Sequence, residues 1–438
     1  MSRHLLTPRM KPLSSRRSTL LSVLDVGSSK VVCLIAKLLP AEPSEMLRGR
    51  THRCKILGIG HQRAQGIKSG AVIDMEDAEK SIRLAVDAAE RMAGVEVESV
   101  IVNMTGGRIS SQHHRAGLSV GGRAVQPHDI QRCLSLAVGN DGRNGRAILH
   151  SMPTGFRLDT MAGIRDPKGM IGDELTADLH NVTVEAAAAR NLMLAIERCH
   201  IQVEAIVATP YASALAVLSD DEAELGAAII NLGGGTTSVS VFNEGRLVHV
   251  DSIAVGGNHV TMDIARGLTT RVADAERLKI VYGSCVPSPS DLRESISVVT
   301  AGEDGDQTIS QPKTQLVRII RPRVEEIMEL VRDRLNAAGF AAQAQRRLIL
   351  TGGGSQLNGI AEVARTTMSS SVRIGRPLGI QGLPESAKSP TYSAAAGLLI
   401  YPQVVNTEYF AQNGNFMTKT TTTDGYVARV AHWLKESF

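Results

Sequence analysis

Three segments of this sequence have the make-up of phosphate-holding turns: Asp25-Val26-Gly27-Ser28-Ser29-Lys30, Asn231-Leu232-Gly233-Gly234-Gly235-Thr236-Thr237 and Thr351-Gly352-Gly353-Gly354-Ser355. Each follows a short apolar run of strand character. A glycine turn after a strand lets consecutive backbone N–H groups point at one spot, which makes an anion nest. One such turn is weak evidence. Three of them, spread from residue 25 to residue 355, point to one polyphosphate gripped between two halves of a protein.

The elements that must position these turns can be read from the flanking residues. The first turn lies between strands expected over 20–25 and 31–38, and the second between strands over 227–231 and 238–242. Both are therefore strand–turn–strand hairpins, unlike the strand–turn–helix of a P-loop or a Rossmann fold. Neither G-x-x-x-x-G-K-[ST] nor a strict G-x-G-x-x-G occurs. Further strands are expected over 55–60, 97–104, 203–208 and, before the third turn, 347–350. Asp74 caps a helix over 76–93 with Ile82, Ala85, Val86, Ala89 and Met92 on one face. Helices follow over 185–199, from Pro210 with Thr209 as its cap, over 259–282, from Pro322 to a stop at Gly339, and over 393–401. Residues 105–180 differ in texture and read as an inserted subdomain, with short strands at 109–112, 116–120 and 147–149 and a helix over 127–138. Residues 284–315 read as loop with weak strands.

A chain of 438 residues exceeds one ordinary core and implies two or more domains. The net charge of +4 resides in the first 18 residues, where Arg3, Arg9, Lys11, Arg16 and Arg17 face no acid. Without those five positive charges the body is close to neutral, and aromatics make up only 3%, so nothing supports a nucleic-acid partner. The basic head reads as a disordered arm, with an organellar transit peptide as the alternative. Five cysteines without a C-x-x-C pair fit reduced thiols better than a disulfide frame or a zinc site.

Hairpin loops facing each other across a cleft, in this order, resemble the actin/hexokinase/heat-shock-chaperone superfamily. The segments His150–Leu175, Pro210–Leu218, Val255–Leu268, Ala275–Gly283 and Arg321–Leu330 more closely resemble the FtsA family of bacterial cell-division proteins. The resemblance covers about residues 20–402 and the terminal segment, and it implies a two-domain actin-like α/β fold with a nucleotide cleft between the domains. Residues 19–104 and 181–222 would form subdomain 1A, 105–180 the inserted subdomain 1C, 223–258 and 345–404 subdomain 2A, and 259–344 subdomain 2B. The implied cofactors are ATP and Mg2+. Asp25 would reach the metal through water, as a hard cation takes oxygen ligands. Gly27, Ser28, Ser29 and Lys30 would contact the phosphates from one side, with Gly233, Gly234, Gly235, Thr236 and Thr237 on the other. Gly352, Gly353 and Gly354 would approach the adenosine, and Glu276 and Lys279 the ribose and base. Where the superfamily's second loop opens with Asp, this chain has Asn231. An amide carries no charge and cannot act as a base, so slow or absent hydrolysis is expected. A sugar or acetate kinase of the same superfamily, which needs an Asp base, and a pilus-assembly relative of the family are the competing assignments.

The resemblance also implies partners: the C-terminal tail of FtsZ, further copies of the chain in actin-like filaments, other divisome proteins, and the cytoplasmic face of the inner membrane at the septum. The FtsZ tail would meet Arg318, Arg321 and Arg323, for which a solvated helix face is the plain alternative. Residues 405–425 read as a flexible linker, and 426–438 as an amphipathic helix. There Tyr426, Val427, Val430, Trp433, Leu434 and Phe438 share one arc, opposite Arg429, His432, Lys435 and Glu436. Such a helix, about 20 Å long, is too short to cross a bilayer and suits an anionic membrane surface.

Overall fold

The computed structural model describes residues 10, 13–14, 16–41, 47, 49–138, 145–300 and 307–409. Two sheets of like order frame it. In the first, strands lie in the order Gln202–Ala208, Ser99–Met104, Thr19–Val26, Lys30–Pro40 and His52–Arg63, with Ile380–Gln381 at the edge. The second repeats the pattern with Val372–Ile374, Leu348–Thr351, Ala227–Leu232, Thr237–Asn243 and Arg246–Ile253. In each, the first strand of a hairpin has a parallel neighbour with a second parallel strand beyond it, and on the other side a third strand extends the hairpin antiparallel. Val31 to Ala36 are all fully buried, the pattern of a strand covered on both faces.

Helix Met75–Ala93 covers the first sheet on one side, opened by Asp77 N–H donating to Asp74 Oδ1 at 3.1 Å and closed by Gly94 at φ 68°. Ile82, Ala85, Val86 and Ala89 are buried, but Met92 is 60% exposed. The last turn is seated by Ala93 against Gly58, where any side chain would strike Ala89 and Ala93, and this close approach leaves Met92 outside. In the middle of the molecule, helices Thr209–Val217 and Ser393–Val404 pack together so closely that a Cβ at Gly397 would run into the Ala212 carbonyl.

The inserted unit has longer strands than its sequence suggests: Ser110–Ala124, Arg146–Leu158, Met161–Ile164 and Ile171–Glu185, with helix Pro127–Ala137. Gly117, Gly155 and Pro153 mask their strand character. Ile171–Glu185 pairs on both sides and sets the register, and the ladder irregularity beside Leu179 and Pro153 accommodates the proline. Its ladder meets that of the second sheet at the residue pair Asp251 and Ser110, and side-chain bonds from Ser111 to Val250 and from His180 to the Leu247 carbonyl reinforce the junction.

Four further expectations are corrected. Pro322 lies inside helix Lys313–Ala337 and does not open it. The hydrogen bond it forfeits is offset by burial of Leu316, Val317 and Ile320 before it and Val324, Ile327 and Met328 after it. The segment 259–282 is two helices, Gly257–Gly267 and Val272–Tyr282, broken where Thr269 takes φ 48° and Thr270 Oγ1 donates to the Val299 carbonyl at 2.5 Å. Thr209 is the first helical residue, not a cap; its hydroxyl donates to the Met104 carbonyl at 3.0 Å. Both ends of the body are anchored further out than expected. Met10 and Leu13 pack on the first core, and the Glu408 and Tyr409 side chains are buried. The terminal segment 426–438 and residues 410–425 lie outside the described residues, as does most of 1–15.

Candidate nucleotide cleft

The first two turns are built alike. Gly27 N–H donates to the Lys30 carbonyl and Gly233 N–H to the Thr236 carbonyl, each at 2.9 Å. They face each other across the two halves: a Cβ on Gly234 would lie 3.0 Å from Ser29 Cβ, and one on Gly235 2.8 Å from Ser28 Cβ. Glycine is what allows this approach. Ser28 Oγ accepts from Gly70 N–H at 2.8 Å, fixing the first loop. The second rests on the start of helix Gly257–Gly267, whose Gly257 and Asn258 N–H groups donate to the Gly233 and Gly234 carbonyls at 2.9 and 2.7 Å. The third turn follows strand Leu348–Thr351, where Gly352 at φ 83° is placed so that any Cβ would collide with Asn231 Oδ1.

The three turns open into one continuous cleft. Asp25, Gly27, Ser28, Ser29, Lys30, Asn231, Gly233, Gly234, Gly235, Thr236, Gly352 and Gly353 line its narrow end. A wider cavity of about 830 Å³ adjoins it and is reached by Glu276, Lys279 and Gly354. Of the residues singled out from sequence for the cofactor, Thr237 alone is absent from both linings; it is the first residue of its strand and 1% exposed. The cleft also takes in Thr105, Thr209 and Thr391, which sequence reasoning passed over. Thr105 and Thr209 belong to a buried network around Asn103, which donates to Asp25 Oδ1 at 2.5 Å and to Thr209 Oγ1 at 3.1 Å and accepts from Val26 N–H at 2.7 Å. Thr105-Gly106-Gly107 at a strand end and Thr209-Pro210 at a helix start were the available signals.

Electrostatically the narrow end holds two desolvated groups of opposite charge, Asp25 and Lys30, which feel one another without a direct ion pair. Burial pushes the Asp25 carboxyl up to about 6, against the opposing pull of Lys30 and the Asn103 hydrogen bond. Burial also brings the Lys30 ammonium down to about 8, with Asp25 resisting. Lys30 Nζ donates to the Thr391 carbonyl at 2.9 Å and sits 3.9 Å from the Tyr392 ring centroid. Asn231 Nδ2 donates to Ser213 Oγ at 3.0 Å. At the wider end, Lys279 Nζ bonds Glu276 Oε2 at 2.7 Å, Thr261 Oγ1 at 2.7 Å and the Gly257 carbonyl at 3.1 Å. One buried carboxylate beside hydroxyls and a nest suits a cation such as Mg2+, which takes one or two protein carboxylates and completes its shell with water and phosphate.

The arginines of helix Lys313–Ala337 are unlike one another. Arg323 is tied to Asp263 at 2.6 Å and to Glu326, and Arg321 to Glu325 at 2.7 Å. Arg318 is exposed, with no ion-pair partner among the described residues.

Known proteins fit this geometry. The family model "Cell division protein FtsA" matches residues 228–397, and "SHS2 domain inserted in FTSA" matches residues 106–183. The chain is 53% identical to the FtsA of Agrobacterium fabrum over 438 residues, covering 100% of this chain and 99% of that one. It is 31% identical to the FtsA of Escherichia coli K12, covering 95% and 97%. Among solved structures, a PilM-PilN type IV pilus biogenesis complex aligns with TM-score 0.60 at 13% identity, covering 87% of this chain and 98% of that one. MreB5 of Spiroplasma citri bound to ADP aligns with TM-score 0.51 at 14% identity, covering 90% and 98%. The two structural likenesses establish the actin-like fold. The end-to-end identity decides among proteins that share it, and by it the chain belongs to the FtsA family of bacterial cell-division proteins.

Proposed function

We propose that this chain binds Mg2+–ATP in the cleft, polymerises with copies of itself and attaches the FtsZ ring to the cytoplasmic face of the membrane at the septum, where later divisome proteins join. The observation that carries this reading is the meeting of three sequence-distant glycine turns on one cleft, in a chain collinear with FtsA from end to end. An actin-like protein of the same fold holds ADP, which supports the choice of nucleotide. Asp25 would hold the metal through water. The nests at Gly27–Lys30 and Gly233–Thr236 would take the phosphates, Gly352–Gly354 the adenosine, and Glu276 and Lys279 the ribose and base. Asn231 supplies an amide where a base is needed, so nucleotide serves assembly more than rapid turnover. On helix Lys313–Ala337 the exposed Arg318 is the strongest candidate for the acidic FtsZ tail. The segment 426–438 supplies the membrane contact, weak for one copy and strengthened in a filament by effective concentration.

The test is co-sedimentation of the full chain with FtsZ and anionic liposomes, with and without ATP. FtsZ should pellet only when both the chain and liposomes are present, and more so with ATP. Trp433→Glu should release both proteins from the vesicles. FtsZ left in the supernatant by the unaltered chain would overturn the anchoring role.

A further inference from the structure

Asn103 is a polar residue in an apolar place. Its strand, Ser99–Met104, lies between Thr19–Val26 and Gln202–Ala208, and Val100, Ile101, Val102 and Met104 are at most 1% exposed. Asn103 is itself 1% exposed. An amide in such a site needs its donors and its acceptor engaged. They are, and in one orientation alone. Oδ1 accepts from Val26 N–H at 2.7 Å, while Nδ2 donates to Asp25 Oδ1 at 2.5 Å. Turned over, the amide would set its oxygen against the Asp25 carboxylate and its NH2 against an N–H. The remaining Nδ2 hydrogen is shared by Thr209 Oγ1 at 3.1 Å and Thr105 Oγ1 at 3.2 Å. Thr209 gives its own proton to the Met104 carbonyl, so Thr105 donates to it at 2.6 Å, and both oxygens stay acceptors for the amide.

Asp25 is held by little else. Asn103 is the one hydrogen-bond donor to its carboxylate among the described residues. Lys30 Nζ is directed instead to the Thr391 carbonyl and the Tyr392 ring. With Oδ1 fixed from behind, Oδ2 is the oxygen left for the cleft that Asp25 lines. The same support reaches the second turn. Ser213 stands one helical turn beyond Thr209 on helix Thr209–Val217 and accepts from Asn231 Nδ2 at 3.0 Å. The start of one helix thereby backs the side chains that open both phosphate turns.

We propose that Asn103 is a positioning residue for the divalent cation that accompanies the nucleotide: it locks the Asp25 carboxylate so that Oδ2 faces the water bound to that cation. The inference rests on the reading of the cleft as a Mg2+–ATP site. A group that orients a metal-holding carboxylate without touching the metal is worth roughly 10–100-fold in metal affinity. The nests themselves are backbone N–H groups, closed by their own hydrogen bonds from Gly27 to Lys30 and from Gly233 to Thr236. Loss of the Asn103 amide therefore acts on the cation and spares the grip on the phosphates.

The experiment measures the affinity of the full chain for ATP by calorimetry, in EDTA and over a series of Mg2+ concentrations. Asn103→Leu keeps the volume and removes donor and acceptor. It should raise the Mg2+ concentration that gives half the gain in affinity at least about tenfold, and leave the affinity in EDTA unchanged. An unmoved half-point would overturn the proposal. So would an equal loss with and without Mg2+, the mark of a purely structural role. In an Asp25→Asn background, Asn103→Leu should alter the Mg2+ dependence no further, because it acts through the carboxylate; a second, additive loss would overturn the proposal as well. Asn103→Ser, a smaller change at the same position, is read against the same outcomes if the leucine variant does not fold. An unaltered chain that binds no ATP would overturn the reading of the cleft itself. One that binds ATP equally with and without Mg2+ would overturn the proposal and leave the nucleotide cleft standing.

Discussion

Asn231 is where a single side chain sets the expected chemistry. Its amide donates to Ser213 and lies against Gly352, within the cleft that Asp25 also lines. Asn231→Asp returns a carboxylate to the second loop and should raise steady-state ATP hydrolysis on the order of a hundredfold, the low end of what a positioned base contributes. A phosphate-release assay at saturating nucleotide checks this; an unchanged rate would mean that something other than the amide limits turnover. Glu408 is a second decisive residue, and nothing in its sequence context marks it. His150 Nε2 accepts from Ala208 N–H at 2.9 Å, so its Nδ1 carries the proton donated to the buried Glu408 carboxylate at 3.0 Å. Glu408→Ala leaves a buried donor unpaired and should cost about 2 kcal/mol by urea unfolding, while Glu408→Gln, which keeps an acceptor, should restore most of it.

At the scale of elements, helix Pro127–Ala137 depends on its first turn. Asp129 accepts from both Arg123 guanidinium nitrogens at 2.7 Å and from Gln126 N–H at 2.8 Å. The Arg123 hydrogen bonds bring its carboxyl down to about 2. A depressed folded-state value means the stabilisation is present above the unfolded value near 4 and is lost as pH falls through about 2. Asp129→Asn should therefore cost about 2 kcal/mol at neutral pH, and its gap from the unaltered protein should close between about pH 4 and pH 2. Chemical unfolding of both proteins across that range is the measurement. Helix Lys313–Ala337 supplies the other element-level prediction. Arg323 is held by Asp263 and Glu326, whereas Arg318 is exposed without an ion-pair partner among the described residues. Arg318→Glu should weaken binding of an FtsZ tail peptide at least about tenfold, the range of a rim-to-core charge contact. Arg323→Glu should act mainly on stability, through repulsion from Asp263. Fluorescence anisotropy of a labelled peptide separates the two, and equal losses would argue that docking involves the whole face.

Across the whole molecule, two halves of like topology place their first hairpins loop to loop, and the cleft exists only because they do. The inserted unit shares one ladder pair with the second sheet and is tied to it further by Ser111 on Val250 and His180 on the Leu247 carbonyl, and it shares a core with the chain's C-terminal part, since Tyr409 packs among Leu175, Leu179 and Phe156. The described end of the chain is thereby part of the inserted unit's core.

Much of this was legible in the residues. Apolar runs ending in glycine turns specified the hairpins, because a strand buried on both faces must be continuously apolar and a nest must lack Cβ atoms. Asp74 and Gly94 bracketed their helix by local hydrogen bonding and a left-handed φ, which tertiary contacts need not decide. What the sequence left open are features set by partners far along the chain. Helix Lys313–Ala337 continues through Pro322 because a buried face outweighs one missing hydrogen bond. The strands of the inserted unit run long despite glycine and proline because a central strand imposes their register. Thr105 and Thr209 join the cleft, with the buried Asn103 behind them, because strand ends from different segments converge there. Glu408 and Tyr409 leave the expected linker because His150 and Ser151 offer buried partners more than 250 residues away. Local chemistry fixes a turn or a cap within a few residues, whereas burial is a property of what the folded chain brings against a segment, and only the tertiary structure states it.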